Sequence, residues 1–68
     1  MVGQIAQVDY VSTTANGNPW YRVRLTDGRS ALTGKDAAVN YGITNPEYRN
    51  CTVSLQLSRG CIIGIETV

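Results

Sequence analysis

The strictest pattern in this 68-residue sequence is the alternation of side chains between residues 20 and 26. Apolar side chains fall on one face of an extended segment, at Tyr21, Val23 and Leu25. The Asp27-Gly28 pair that follows is a strong signal for a β-hairpin with a two-residue type I′ turn. The pattern therefore predicts a hairpin in which Arg24 lies opposite Ala31.

Residues 2–11 form a second alternating segment, and it predicts the first strand of the chain. Ile5 is out of phase with its neighbours. A β-bulge between Gly3 and Ala6 would let Ile5 point to the same face as the other apolar residues.

Two alternating runs near the C-terminal end flank the tripeptide Ser58-Arg59-Gly60. A three-residue loop there pairs Leu57 with Cys61, so that the apolar faces of the two strands agree. In this register Ile62 and Val68 point outward, which makes them a candidate edge for homo-oligomer formation. The register also keeps the two cysteines too far apart for a disulfide.

A short helical signal lies between the third and fourth predicted strands. Thr33 followed by Asp36 is a variant of the capping box, and Gly42 suits the left-handed residue that ends a helix. Asn45-Pro46 begins a further single turn. The order of elements predicts an all-β protein with little helix, a five-stranded OB-like small barrel over residues 1–68 as one domain. The alternative, a Src-homology-type barrel, has its helical turn between the fourth and fifth strands.

The composition argues against an enzyme and against a bound metal or cofactor. The sequence has no histidine, and its five carboxylates are scattered along the chain. Its two cysteines lack metal-ligand spacing, and no glycine-rich phosphate loop is present. The net charge of +1 excludes a polycation that binds nucleic acid by charge alone. We find no signal peptide and no membrane span, so we expect a cytoplasmic protein that does not contact membranes.

The best candidate for a functional surface is the polar face of the central hairpin. The predicted register makes one aromatic and three basic residues contiguous: Trp20, Arg22, Arg24 and Arg29. OB-folds bind single strands on this face, where an aromatic ring stacks on a base and arginines contact phosphates. A protein partner is the other functional interpretation, and a solvated face without a partner is the third.

Two strings of the sequence, NGNPWYRVRLTDG and DAAVNYGITNPEYRN, resemble a group of small uncharacterised proteins from actinobacteria and their phages. That group has a similar Asn-Gly-Asn-Pro-x-Tyr-Arg-Val stretch, then an Asp-Gly turn and an Asp-Ala-rich segment. The resemblance covers residues 8 to about 49. It implies a phage-type accessory protein that acts in the host cytoplasm by binding a host protein. We therefore expect a non-enzymatic binding module, with a single-stranded nucleic-acid-binding protein as the alternative.

Overall fold

Five β-strands form one antiparallel sheet in a computed structural model that describes residues 1–68. The strands are β1 (Val2–Thr13), β2 (Pro19–Leu25), β3 (Ser30–Leu32), β4 (Thr52–Ser58) and β5 (Cys61–Thr67). Two short 3₁₀ helices, Ala38–Tyr41 and Pro46–Tyr48, lie between β3 and β4. The prediction of an all-β protein with five strands and little helix is confirmed. No helix is both long and apolar enough to cross a membrane.

The strand order is β3-β2-β1-β4-β5, so β1 joins the two halves of the sheet. It pairs with β4 over Val2–Gln4 and with β2 from Ile5 to Thr13. A register shift between Ile5 and Gln7 confirms the predicted bulge. The bulge turns Ile5 into the core, where its side chain is buried.

The turn between β2 and β3 has three residues, so the predicted two-residue turn is wrong. Arg24 lies opposite Ser30, and the backbone N–H of Gly28 donates to the Leu25 carbonyl at 3.0 Å. The Asp27 carboxylate accepts the backbone N–H of Arg29 at 3.0 Å, which favours this longer turn. Gly28 has a φ of 94°, the left-handed conformation that such a loop requires at its last position.

The turn between β4 and β5 is one residue shorter than predicted, whereas that between β2 and β3 is one residue longer. Ser58 pairs with Cys61, so the loop has two residues, and both of them have positive φ as in a type I′ turn. A bulge follows at once, because Leu57 pairs with Ile62 whereas Gln56 pairs with Gly64. The bulge keeps the apolar faces in agreement, which a two-residue loop without it would not do.

This register reverses the expectation for Ile62, which is completely buried rather than outward-facing. Ile63 is the extra, unpaired residue of the bulge, and its side chain is 50% exposed. Val68 is exposed, as expected, but Ile62 cannot share a self-association edge with it. Cys51 and Cys61 are not bonded to each other.

Thr33 does not cap a helix, contrary to the prediction. It is buried, and its Oγ1 accepts the backbone N–H of Tyr21 at 2.9 Å. The 3₁₀ helix begins later, after Ala37, without a side-chain cap, and Gly42 is not left-handed. The predicted single turn at Asn45-Pro46 is confirmed, although Asn45 forms no side-chain cap.

Eight apolar side chains form the core, and they come from β1, β2, β4, β5 and the connection between β3 and β4. They are Ile5, Val23, Leu25, Val39, Ile43, Val53, Leu55 and Ile62. The segment after β3 also reaches β5: Thr33 forms a parallel bridge with Ile62, and the Gly34 N–H donates to the Ile62 carbonyl at 2.8 Å. The core therefore fixes the position of β2, which carries the candidate surface.

Candidate binding surface

The outer face of β2 carries Trp20, Arg22 and Arg24. The alternate side chains of the strand point inward, and Val23 and Leu25 are fully buried. The three predicted residues therefore lie together on one side of the sheet. Arg22 and Arg24 are exposed and Trp20 is half-buried. We call this surface, with its neighbours Gln7 and Asp9 on β1 and Ser30 and Leu32 on β3, the β2 face.

Arg29 does not belong to the β2 face, although the predicted register placed it there. The three-residue turn shifts it by one position, which moves its side chain away from the outer face. Its Nη2 donates to the Val2 carbonyl at 2.6 Å and its Nε donates to the Asp27 carboxylate at 2.7 Å. The backbone N–H of Arg29, together with its guanidinium, lowers the pKa of Asp27. Arg29 is therefore a residue of the turn.

A row of polar contacts crosses from β2 to β1 on the β2 face. Arg24 Nη2 donates to Gln7 Oε1 at 2.8 Å, and Gln7 Nε2 donates to Asp9 Oδ1 at 2.6 Å. Arg22 lies opposite Asp9 in the register, yet the only salt bridge of the structure is Arg29–Asp27. Arg24 is therefore already engaged, whereas Arg22 has no ionic partner within the protein.

Lys35 lies over Trp20, with Nζ 5.1 Å from the centroid of the aromatic ring. A cation–π contact of this kind contributes about 0.5–1 kcal/mol at an exposed site. Lys35 was not predicted from the sequence, because no local pattern connects it to Trp20. Its position depends on Thr33, whose bonds to Tyr21 fix the start of the segment that carries Lys35. One side of the ring thus carries a positive charge.

The loop between β1 and β2 is tied to Asp36. Thr14 Oγ1 and Asn18 Nδ2 each donate to Asp36 Oδ1 at 2.7 Å, and Asn16 Nδ2 lies 3.5 Å from Oδ2. The hydroxyl of Tyr41 donates to the Asn18 side chain. Asp36 adopts a φ of 58°. These contacts join the Asn-Gly-Asn-Pro stretch to the Asp-Ala segment and hold the loop that precedes Trp20.

The hydrogen bonds that Asp36 accepts lower the pKa of its carboxyl group below the usual 3.8. The bond from Thr14 has the largest effect, and the bond from Asn18 the next largest. A carboxyl group with a lowered pKa stabilises the folded form above its unfolded pKa and loses that effect as the pH falls through the folded value. We therefore expect the hydrogen bonds from the loop to Asp36 to keep their full strength above pH 3.8 and to weaken below it. An NMR titration of the Thr14 and Asn18 resonances measures this.

The matched variants for this titration are Asp36→Asn, which should abolish the transition, and Asp9→Asn, which should leave it unchanged. Asp9 accepts a hydrogen bond from Gln7 and is not among the residues hydrogen-bonded to the loop. A transition in wild-type protein with a midpoint above 3.8 would contradict the assignment.

Nowhere do three metal-ligating side chains lie together, and the surface has no pocket. Comparison with protein families, with curated proteins and with solved structures gave no match for this chain.

Proposed function

We propose that the sheet is a small, partly open barrel of the OB type. In the sheet order β3 and β5 are the two outermost strands. The support is that the chain just after β3 contacts β5, where Thr33 and Ile62 form a parallel β-bridge. The position of β1 between β2 and β4 and the helical segment between β3 and β4 fit the same class.

On this scaffold we propose a non-enzymatic binding module whose β2 face binds another protein. The observation that carries the proposal is the half-buried Trp20 ring with the Lys35 ammonium over it, on the same strand face as the unpaired Arg22 guanidinium. Tryptophan and arginine are the residues most enriched at energetically dominant interface positions. Two cations beside an aromatic ring suit a partner surface that presents carboxylates next to an apolar side chain.

Several features of the β2 face favour a protein over a nucleic acid. Lys35 covers one side of the Trp20 ring, so a base that stacked there would have to displace it. Arg24 is bonded to Gln7, which lowers its availability for phosphate. The Asp9 carboxylate lies opposite Arg22 and would repel a phosphate at that position.

The biological context that we propose is a phage-type accessory protein in the host cytoplasm. Its support is the resemblance of the two sequence strings, which meet in the structure at Asp36. A reducing cytoplasm also suits the unbonded thiols of Cys51 and Cys61. The partner in this context is a host protein.

The test is a quantitative pull-down from host lysate with wild-type protein and three single variants. We expect Trp20→Ala and Arg22→Gln each to lower recovery of a specific partner about 10-fold or more, because truncating a dominant interface residue costs roughly 2 kcal/mol. Arg29→Gln is the matched control, since it removes the same charge from a residue outside the β2 face. Equal recovery with all four proteins would remove the β2 face from partner binding.

Single-stranded nucleic acid is the second candidate, favoured by an aromatic ring and two cations without a salt bridge, Arg22 and Lys35, at the face that OB-folds use. Phosphate contacts by Arg22 and Lys35 predict a salt slope of about −1.4, which weakens binding roughly 7-fold between 50 and 200 mM salt. Titration of labelled oligonucleotides measures this slope. An absence of binding at micromolar protein in 50 mM salt rejects this candidate.

A further inference from the structure

One edge of β1 is open along most of the strand. β4 covers this edge only at Val2–Gln4, whereas β2 pairs with the opposite edge as far as Thr13. The first 3₁₀ helix packs against β5 and β2 instead. No backbone hydrogen bond from a loop or turn reaches residues 6–13. The C-terminal two thirds of β1 therefore form one edge of the β3-β2-β1 part of the sheet, with the strand's backbone open on the side away from β2.

The backbone of Tyr10 points to this open edge. Tyr21, which lies opposite Tyr10, uses both of its backbone groups on Thr33: its N–H donates to Oγ1 and its carbonyl accepts the Thr33 N–H. Since both backbone groups of a strand residue point to the same neighbour, Tyr10 and Tyr21 form a non-hydrogen-bonded pair. The N–H and carbonyl of Tyr10 are thus directed away from β2. Those of Val8 also point to the open edge, because backbone groups two residues apart in a strand point to the same side.

This edge lacks most of the features that protect exposed strands from pairing. Natural edges are kept short, are covered, or carry proline or lysine. Residues 6–13 contain neither proline nor lysine, and Asp9 is their only charge. The edge has two irregularities, a register shift between Ile5 and Gln7 and another between Tyr10 and Ser12, and the stretch from Gln7 to Tyr10 between them is regular. The side chain of Tyr10 is 61% exposed, so apolar surface accompanies the open backbone.

We propose that two copies of this chain associate by antiparallel pairing of their β1 edges about a two-fold axis at Tyr10. The N–H of Tyr10 in each copy donates to the Tyr10 carbonyl of the other. An axis at Asp9 would place two carboxylates directly opposite each other, which is unfavourable, whereas an axis at Tyr10 places Asp9 opposite Val11 of the second copy.

The side chains support the same axis. The rings of Tyr10 and Tyr21 already contact edge to face, with centroids 6.3 Å apart and an interplanar angle of 74°. Directly opposed residues of antiparallel strands have side chains about 5 Å apart, so the second copy extends this contact into a row of four tyrosines. Such a row covers the exposed Tyr10 ring.

A second copy fits this edge because a two-fold interface uses the same surface twice and satisfies both copies at once. The chain also gains from association, since only ten of its 68 residues are buried and small domains of this kind often depend on oligomer formation. The pairing uses the backbone edge of β1 and does not cover Trp20 or Arg22. It is therefore independent of the partner proposed for the β2 face.

Sedimentation equilibrium over a range of concentrations tests the dimer. We expect wild-type protein to approach twice the 7.4 kDa mass of one chain. Tyr10→Lys should raise the dissociation constant at least 10-fold, because it places two ammonium groups together at the axis. Leu57→Lys is the matched control, since Leu57 is also a large exposed side chain on a strand but lies on β4, outside the proposed edge.

Amide hydrogen exchange of wild-type protein provides a readout that does not depend on a variant. We expect exchange of the Tyr10 amide to slow as the protein concentration rises. A monomer at millimolar concentration, with exchange of the Tyr10 amide independent of concentration, overturns the proposal. A dimer that Tyr10→Lys leaves intact also overturns it, because the interface then lies elsewhere.

Discussion

Ile62→Ala is expected to lower the free energy of unfolding by about 2–5 kcal/mol, a large part of the total stability of so small a domain. Ile62 is completely buried among the core side chains, and its backbone carbonyl accepts the Gly34 N–H. Truncation removes buried methyl groups and leaves a cavity beside the bridge to Thr33. Urea unfolding followed by circular dichroism measures the change, provided that the slope of the transition is unchanged.

The matched control is Ile63→Ala, the same chemical change at the adjacent residue. Ile63 is 50% exposed, so its truncation should cost less than about 1 kcal/mol. The pair of variants distinguishes the two possible registers of the last hairpin. If Ile63→Ala were the more destabilising change, the three-residue loop would be correct and the observed register wrong.

Thr33→Val is expected to lower the free energy of unfolding by about 1–3 kcal/mol although it keeps the shape of the side chain. The substitution removes the oxygen that accepts the Tyr21 N–H and leaves that donor without a partner. Thr33 is buried, so water cannot replace the lost acceptor without local opening. The same unfolding experiment measures the cost, and faster exchange of the Tyr21 amide locates it.

Thr33→Ser is the informative comparison, because it keeps the hydroxyl and loses only a methyl group. If the hydrogen bond matters most, Ser should retain protection of the Tyr21 amide while Val loses it. A Tyr21 amide that exchanges equally slowly in both variants would show that the hydroxyl has no role in holding β2 to the segment after β3.

The strands were predictable because alternation of apolar and polar side chains is a local property of the sequence. Ile5 could be assigned to a bulge because it is the apolar residue of the first strand that is out of phase with this alternation. The registers of two hairpins were not predictable in the same way. Each depends on one feature of the turn: the bond from the Arg29 N–H to Asp27, and the bulge between Gln56 and Leu57. The first lies outside the alternating residues, and the second coincides with the adjacent pair Ile62-Ile63, for which alternation does not tell which side chain points inward.

The candidate surface was predicted in part for the same reason. Alternation within one strand places Trp20, Arg22 and Arg24 on the same face, and this holds whatever the register of the strand with its neighbours. Arg29 was assigned through the turn, and a slip of one residue sends a side chain to the opposite face. Lys35 reaches Trp20 because of the path that the chain takes after Thr33, which is a tertiary property.

The central position of β1 also governs how the chain folds. The three hairpin pairings join neighbours in the sequence, and such contacts form within microseconds. The contact between β1 and β4 is different, since the Met1 ammonium donates to the Leu55 carbonyl across 54 positions at 2.9 Å. Closing so long a segment is slow relative to local pairing, so the N-terminal residues should join the sheet late. A nascent chain must therefore emerge at least as far as β4 before its first strand finds its second neighbour.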